Sequence, residues 1–221
     1  MSGFAQTRRA TRERDDDRRR RRARRVRVLL AAGLVLGIGT AVTLAAWTDT
    51  ENATGSFGAS VFGTESQSAG SPTYASNTAA PGASLTFAAT AMSPGTSFYA
   101  WLNVRTTSAS TVGGTVSLTG AAPTGTLAPA LEYRAVRLSG PAPGVACSAA
   151  AFTGSPVFVA GGASSYLPVT QVPSTPVAST IGAAGAQLGF CFEVRIAAGA
   201  ANTFQGTTGQ VTWTFASTSA S

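Results

Sequence analysis

The sequence predicts an all-β exported domain behind a basic, apolar leader, and three observations carry that expectation. From about residue 47 onward, short segments of alternating polarity are separated by Gly, Pro, Ser and Thr clusters, the pattern of a sandwich or barrel. The composition is rich in Ala, Gly, Ser, Thr and Val and contains no Lys, so the strong helix formers are scarce. No segment outside the leader sustains a 3.6-residue period.

The strands are expected in this order. Phe98, Ala100, Leu102 and Val104 form one face of a strand whose other face holds Tyr99, Trp101, Asn103 and Arg105. The clearest strand runs over 188–196, with Leu188, Phe190, Phe192, Val194 and Ile196 alternating against a wetter face of Gly189, Cys191, Glu193 and Arg195. Val211, Trp213 and Phe215 mark a closing strand. Weaker strands are expected at 55–64, 84–90, 114–120, 131–138 and 156–160. Turns fall at Pro81-Gly82, Pro94-Gly95, Gly113-Gly114 and Gly161-Gly162, and loops at 120–130 and 168–180.

Charge divides the 221 residues at about position 45. Residues 1–45 hold twelve of the sixteen Arg, all between Arg8 and Arg27, against four acids. Residues 46–221 hold four Arg and five acids. The basic character belongs to the leader alone, so the remainder has no electrostatic footprint for a phosphate backbone and no nucleic-acid partner is expected.

Within the leader, the Arg cluster precedes the uncharged stretch Val28–Ala46. A basic segment, an apolar segment and a small-residue site define a secretory signal, and Thr43-Leu44-Ala45 places the cut between Ala45 and Ala46. The alternative is an uncleaved membrane anchor, since nineteen apolar residues are just enough to cross a bilayer with the Arg cluster inside. Either way residues 46–221 are expected outside the cell, secreted or held at its surface. Cys147 and Cys191 are the chain's only cysteines, and a pair in an exported chain is expected to form a disulfide.

The residues offer little for catalysis. With no His, Ser-His-Asp and Cys-His sites are impossible, as is a His-ligated zinc. The acids beyond the leader (Asp49, Glu51, Glu65, Glu132, Glu193) are scattered, with no spacing that pairs them. No enzymatic activity, cofactor or metal is expected. Tyr99 and Trp101 are either an exposed binding face for a sugar or protein, or a minor core beneath a loop. Asn52-Ala53-Thr54 matches a glycosylation sequon.

The junction Thr43–Phe62 carries the most specific pattern: an apolar run, then Ala46-Trp47-Thr48-Asp49, then Ala53, Thr54 and Phe57. It resembles the leader and mature start of proteins with SipW-dependent-type signal peptides, the family of the TasA and CalY (camelysin-like) biofilm matrix proteins. Met92-Ser93-Pro94-Gly95 looks like that family's turn before a long strand. The resemblance implies a jelly-roll-like antiparallel β-sandwich after the N-terminal signal helix, export through a dedicated signal peptidase, and assembly into fibres through an N-terminal strand. The chain departs from the family in its long, partly acidic N-terminal segment, its Cys pair and its nearly uncharged body. It lacks a metal-ligand set, so the metallopeptidase activity attributed to camelysin is not carried over. The resulting expectation is a matrix or fibre subunit whose partner is a second copy of itself. The donor strand lies within 46–55 and contains Ala46, Trp47, Thr48, Asp49, Ala53 and Thr54. The rival expectation is a monomeric, surface-anchored adhesion or ligand-binding domain.

Overall fold

A computed structural model describes Arg22, residues 24–27, 58–79, 82–87 and 91–220. Arg22 and residues 24–27 are helical and exposed. The expected signal cut at Ala45 and Ala46 and the expected donor residues Trp47, Thr48, Asp49, Ala53 and Thr54 lie outside the described residues. No helix among the described residues is long and apolar enough to cross a membrane.

The β body is the unit Gly58–Ser221. Its strands are β1 (Thr64–Ser68), β2 (Ser71–Ala75), β3 (Ser97–Thr106), β4 (Gly114–Thr124), β5 (Leu131–Arg137), β6 (Val157–Ala160), β7 (Leu167–Pro168), β8 (Ser179–Ile181), β9 (Gln187–Ile196) and β10 (Gln210–Ser219). They form two antiparallel sheets. The larger runs β2-β1-β3-β9-β5-β6, with β7 also on β5, and the smaller runs β10-β4-β8. Alternation gives each strand a core face, and the two core faces meet.

At the centre, Leu102 and Val104 of β3, Phe190, Phe192, Val194 and Ile196 of β9, and Leu131 and Tyr133 of β5 meet Val116 and Leu118 of β4. Each large side chain buried there contributes about 1.5–3 kcal/mol of apolar transfer free energy. The all-β, sandwich-like architecture agrees with the alternation in the sequence.

Several elements differ from the expectation. Residues 58–63 are not a strand, and the first strand begins at Thr64. The β1–β2 hairpin is polar, Thr-Glu-Ser-Gln-Ser followed by Ser-Pro-Thr-Tyr-Ala, so it shows no apolar alternation to read. β4 continues to Thr124 through a stretch expected to be loop, because β10 pairs with it along its whole length. Short β7 and β8 occupy or border the second expected loop.

β9 departs most instructively. Its outer face is not wet: Cys191 is fully buried and Glu193 is 2% exposed. The segment between β5 and β6 folds over that face, and Val136, Leu138, Ala142, Phe152 and Cys191 form a second cluster there. Cys147 on this segment is disulfide-bonded to Cys191. The loop lies so close that a Cβ on Gly189 would sit 2.4 Å from the Gly140 carbonyl oxygen.

Candidate functional site

Beside the central core the two sheets do not close. A cleft of about 1350 Å³ opens between them. Its floor is the core face of the larger sheet, with Leu102, Val104, Phe192, Val194 and Ile196. One wall is β10, which turns Val211, Trp213, Phe215 and Ser217 towards it. The alternation of β10 sets this: Val211, Trp213, Phe215 and Ser217 are half-buried, while Gln210, Thr214, Ala216 and Thr218 are exposed.

Aromatic rings hold that wall in place. Trp213 lies 4.8 Å from Phe192 and 5.4 Å from Tyr133, centroid to centroid, and Phe215 lies 4.8 Å from Phe190. The Trp213 Nε1–H is buried with no partner in hydrogen-bond geometry among the described residues, although it lies close enough to the Tyr133 hydroxyl to lower its pKa. Burial pushes the Tyr133 hydroxyl up to about 12 against the lowering influence of nearby Trp213, so it stays neutral and donates to the Gln171 carbonyl at 3.0 Å.

Among the described residues β10 pairs only with β4. Its other edge carries main-chain N–H and C=O groups with no strand of the described residues beside them, next to an apolar trough. One end of the trough is tied by the Thr64 hydroxyl donating to Ser217 Oγ at 3.2 Å, and the other by the Leu127 N–H donating to the Thr208 carbonyl at 3.0 Å.

A third wall is residues 82–87, connecting the β2 and β3 regions. Ala83, Leu85 and Phe87 are half-buried against the core, and Ser84 and Thr86 are exposed. That is a strand's alternation without a strand's ladder, and it falls where part of a strand was expected at 84–90. Residues 88–90 of that expectation lie outside the described residues.

The opposite face of the larger sheet is closed. Tyr99 and Trp101 pack into the second cluster beneath the disulfide-tethered loop, so they form a minor core there. Tyr99 lies 6.0 Å from Phe152. Next to them Glu193 accepts from Ser97 Oγ, from Tyr166 Oη at 2.6 Å and from Arg134 Nε at 2.8 Å. Burial raises its pKa, but the hydrogen bonds from Ser97, Tyr166 and Arg134 and the Arg134 charge outweigh that and hold the carboxyl below its ordinary value. Glu132 pairs with Arg195 at 2.6 Å and Glu65 with Arg105 at 2.8 Å. Every acid of the β body among the described residues therefore faces an arginine. No group of three or more His, Cys, Asp or Glu able to hold a metal occurs among the described residues.

Sequence reasoning located the disulfide and the core strands but missed the cleft. The open edge of β10 depends on strand order, which periodicity does not encode. The alternation of Ala83, Leu85 and Phe87 was the available clue. No protein-family model matches the chain, and no curated protein matches it.

Proposed function

We propose that this chain is a secreted or cell-surface structural protein that assembles into fibres through its N-terminal segment. The open edge of β10 beside an apolar cleft is the observation that supports this reading most. An extended segment laid along β10 gains main-chain hydrogen bonds, and its inward side chains gain the trough. The donor is 46–55 of a second copy, with Trp47 as anchor for the apolar floor. A contact that joins one copy's N-terminus to another copy's cleft is heterologous and does not close, so it propagates.

In this reading the two sheets belong to a jelly-roll-like sandwich. The leader is the signal helix, cut by a signal peptidase between Ala45 and Ala46 or retained as a membrane anchor. The Cys147–Cys191 disulfide supports export, because such bonds persist in oxidising compartments. The resemblance of the 43–62 junction to matrix proteins supports the same direction. Neither a cofactor nor a nucleic acid is part of the proposal.

Deleting 46–55 from the exported protein is expected to abolish fibres seen by negative-stain microscopy and leave a monomer by sedimentation. Fibre formation unchanged by the deletion refutes the mechanism. A second reading, a monomeric surface-anchored binding domain, draws on the size of the cleft and the unpartnered Trp213 indole at its wall. It predicts a monomer at all concentrations.

A further inference from the structure

Residues 82–87 have the side-chain pattern of a core strand and almost none of its bonding. Their only backbone–backbone hydrogen bond among the described residues is Gly82 N–H to the Ala79 carbonyl. They are held instead by two serines of the β1–β2 hairpin: Ser68 Oγ donates to the Ser84 carbonyl at 2.5 Å, and the Ser84 N–H donates to Ser71 Oγ at 3.0 Å. At the far end the Phe87 ring meets Trp213 of β10 at 6.4 Å. The segment thus reaches from the hairpin to the wall that carries the unpaired edge. It shields apolar floor, yet its backbone makes no ladder with β10.

We propose that 82–87 is an internal stand-in strand, a strap over the cleft that an incoming strand must displace, so that assembly is gated by the strap's release. This rests on the self-association reading for the identity of the incoming strand, but the strap itself is defined by contacts within one copy. A segment bound, among the described residues, by two side-chain hydrogen bonds and a few half-buried side chains opens at far lower free energy than a laddered strand. A strand that docks only where the strap has opened binds with an affinity reduced by the fraction of open molecules.

Gly70 offers a clean lever. It sits in the β1–β2 turn beneath the strap, and a Cβ there would lie 2.6 Å from the Ser84 carbonyl oxygen and 2.5 Å from Thr86 Oγ1. Its backbone is not in the left-handed region, so Gly70→Ala adds a wedge without a conformational penalty of its own.

The native cysteines are both in the disulfide, so one introduced thiol is a unique reporter. Leu102→Cys places it on the cleft floor, 7% exposed in the parent and beside Ser68, and Val104→Cys is the alternative site. In the full chain, maleimide labelling of that thiol is expected to accelerate at least about tenfold when Gly70→Ala or, independently, Phe87→Ser is added. Hydrogen exchange in β9 should stay unchanged, which separates strap release from global unfolding. A synthetic peptide of residues 46–55, the proposed donor, is expected to slow the accelerated labelling again. Labelling at the parental rate in both loosened variants overturns the strap. Accelerated labelling that the peptide does not slow upholds the strap and overturns the N-terminal segment as its competitor.

Discussion

Glu193 shows how one residue decides the outer face of the larger sheet. A carboxylate 2% exposed is tolerable only because Arg134, Ser97 and Tyr166 converge on it. Glu193→Gln leaves the Arg134 guanidinium, itself 13% exposed, without its countercharge, and is expected to cost about 3 kcal/mol in denaturant unfolding at neutral pH. The pH dependence follows from the sign of the shift. Its folded pKa lies below the usual 4.5, so the stabilisation is complete above that value. It is lost as pH falls from about 4.5 through the depressed folded value. Acid titration of stability should show this loss in the parent and a flatter profile in Glu193→Gln; parallel profiles would sink the assignment. Asn103 teaches a similar lesson on β3. Its amide exchanges hydrogen bonds with the backbone of Ala142, donating at 2.6 Å and accepting at 2.9 Å, and so stitches the loop to the sheet. In sequence it reads only as one polar residue on the face it shares with Tyr99, Trp101 and Arg105.

At the scale of elements, the loop between β5 and β6 is held by the disulfide, the Asn103 clasp and the close approach at Gly189. Replacing both Cys147 and Cys191 by Ala opens a 44-residue separation in the unfolded chain and is expected to cost about 4 kcal/mol on the loop-entropy model. Trp101 emission should shift towards the red as the loop lifts from it, and an unshifted spectrum would argue that the remaining contacts hold the loop unaided. Gly189→Ala must displace the Gly140 carbonyl and is expected to cost about 1–3 kcal/mol by the same unfolding measurement. The legibility of the elements follows the same physics. β9 and β3 were readable because one face of each is continuously apolar. The β1–β2 hairpin was not, because it sits at the margin of the larger sheet with polar residues on both faces. The cover on β9 was also hidden, since a loop that buries a polar face leaves no periodic trace. The cysteines hinted at it, but not at which face they join.

At the scale of the whole chain, charge is segregated and then neutralised. The basic excess stays in residues 1–45. Within the β body, Arg105, Arg134 and Arg195 each sit on a glutamate, and Tyr74 and Tyr166 stack against the same guanidinium groups at 4.1 Å for Arg105–Tyr74 and 3.5 Å for Arg195–Tyr166. Outside those pairs the charges of residues 46–221 are Arg137, Asp49 and Glu51, too few to steer or repel another copy strongly. The proposed contact is made chiefly of main-chain hydrogen bonds and the Trp47 anchor, with Asp49 and Glu51 of the donor left at the solvent side. Assembly of the exported form should therefore be nearly indifferent to ionic strength. Raising salt from about 0.05 to 0.5 M shortens the Debye length roughly threefold, yet elongation measured by light scattering should change by less than about twofold. Blocking the apolar trough should do what salt does not. Val211→Lys puts an ammonium on the cleft wall at a half-buried site from which its stem can reach solvent, so folding tolerates it. A strand seated there would have to bury that charge, so elongation should stop while the monomer's unfolding midpoint barely moves. Fibres that grow at the parental rate in Val211→Lys, or that dissolve as salt rises, would place the contact somewhere other than this cleft.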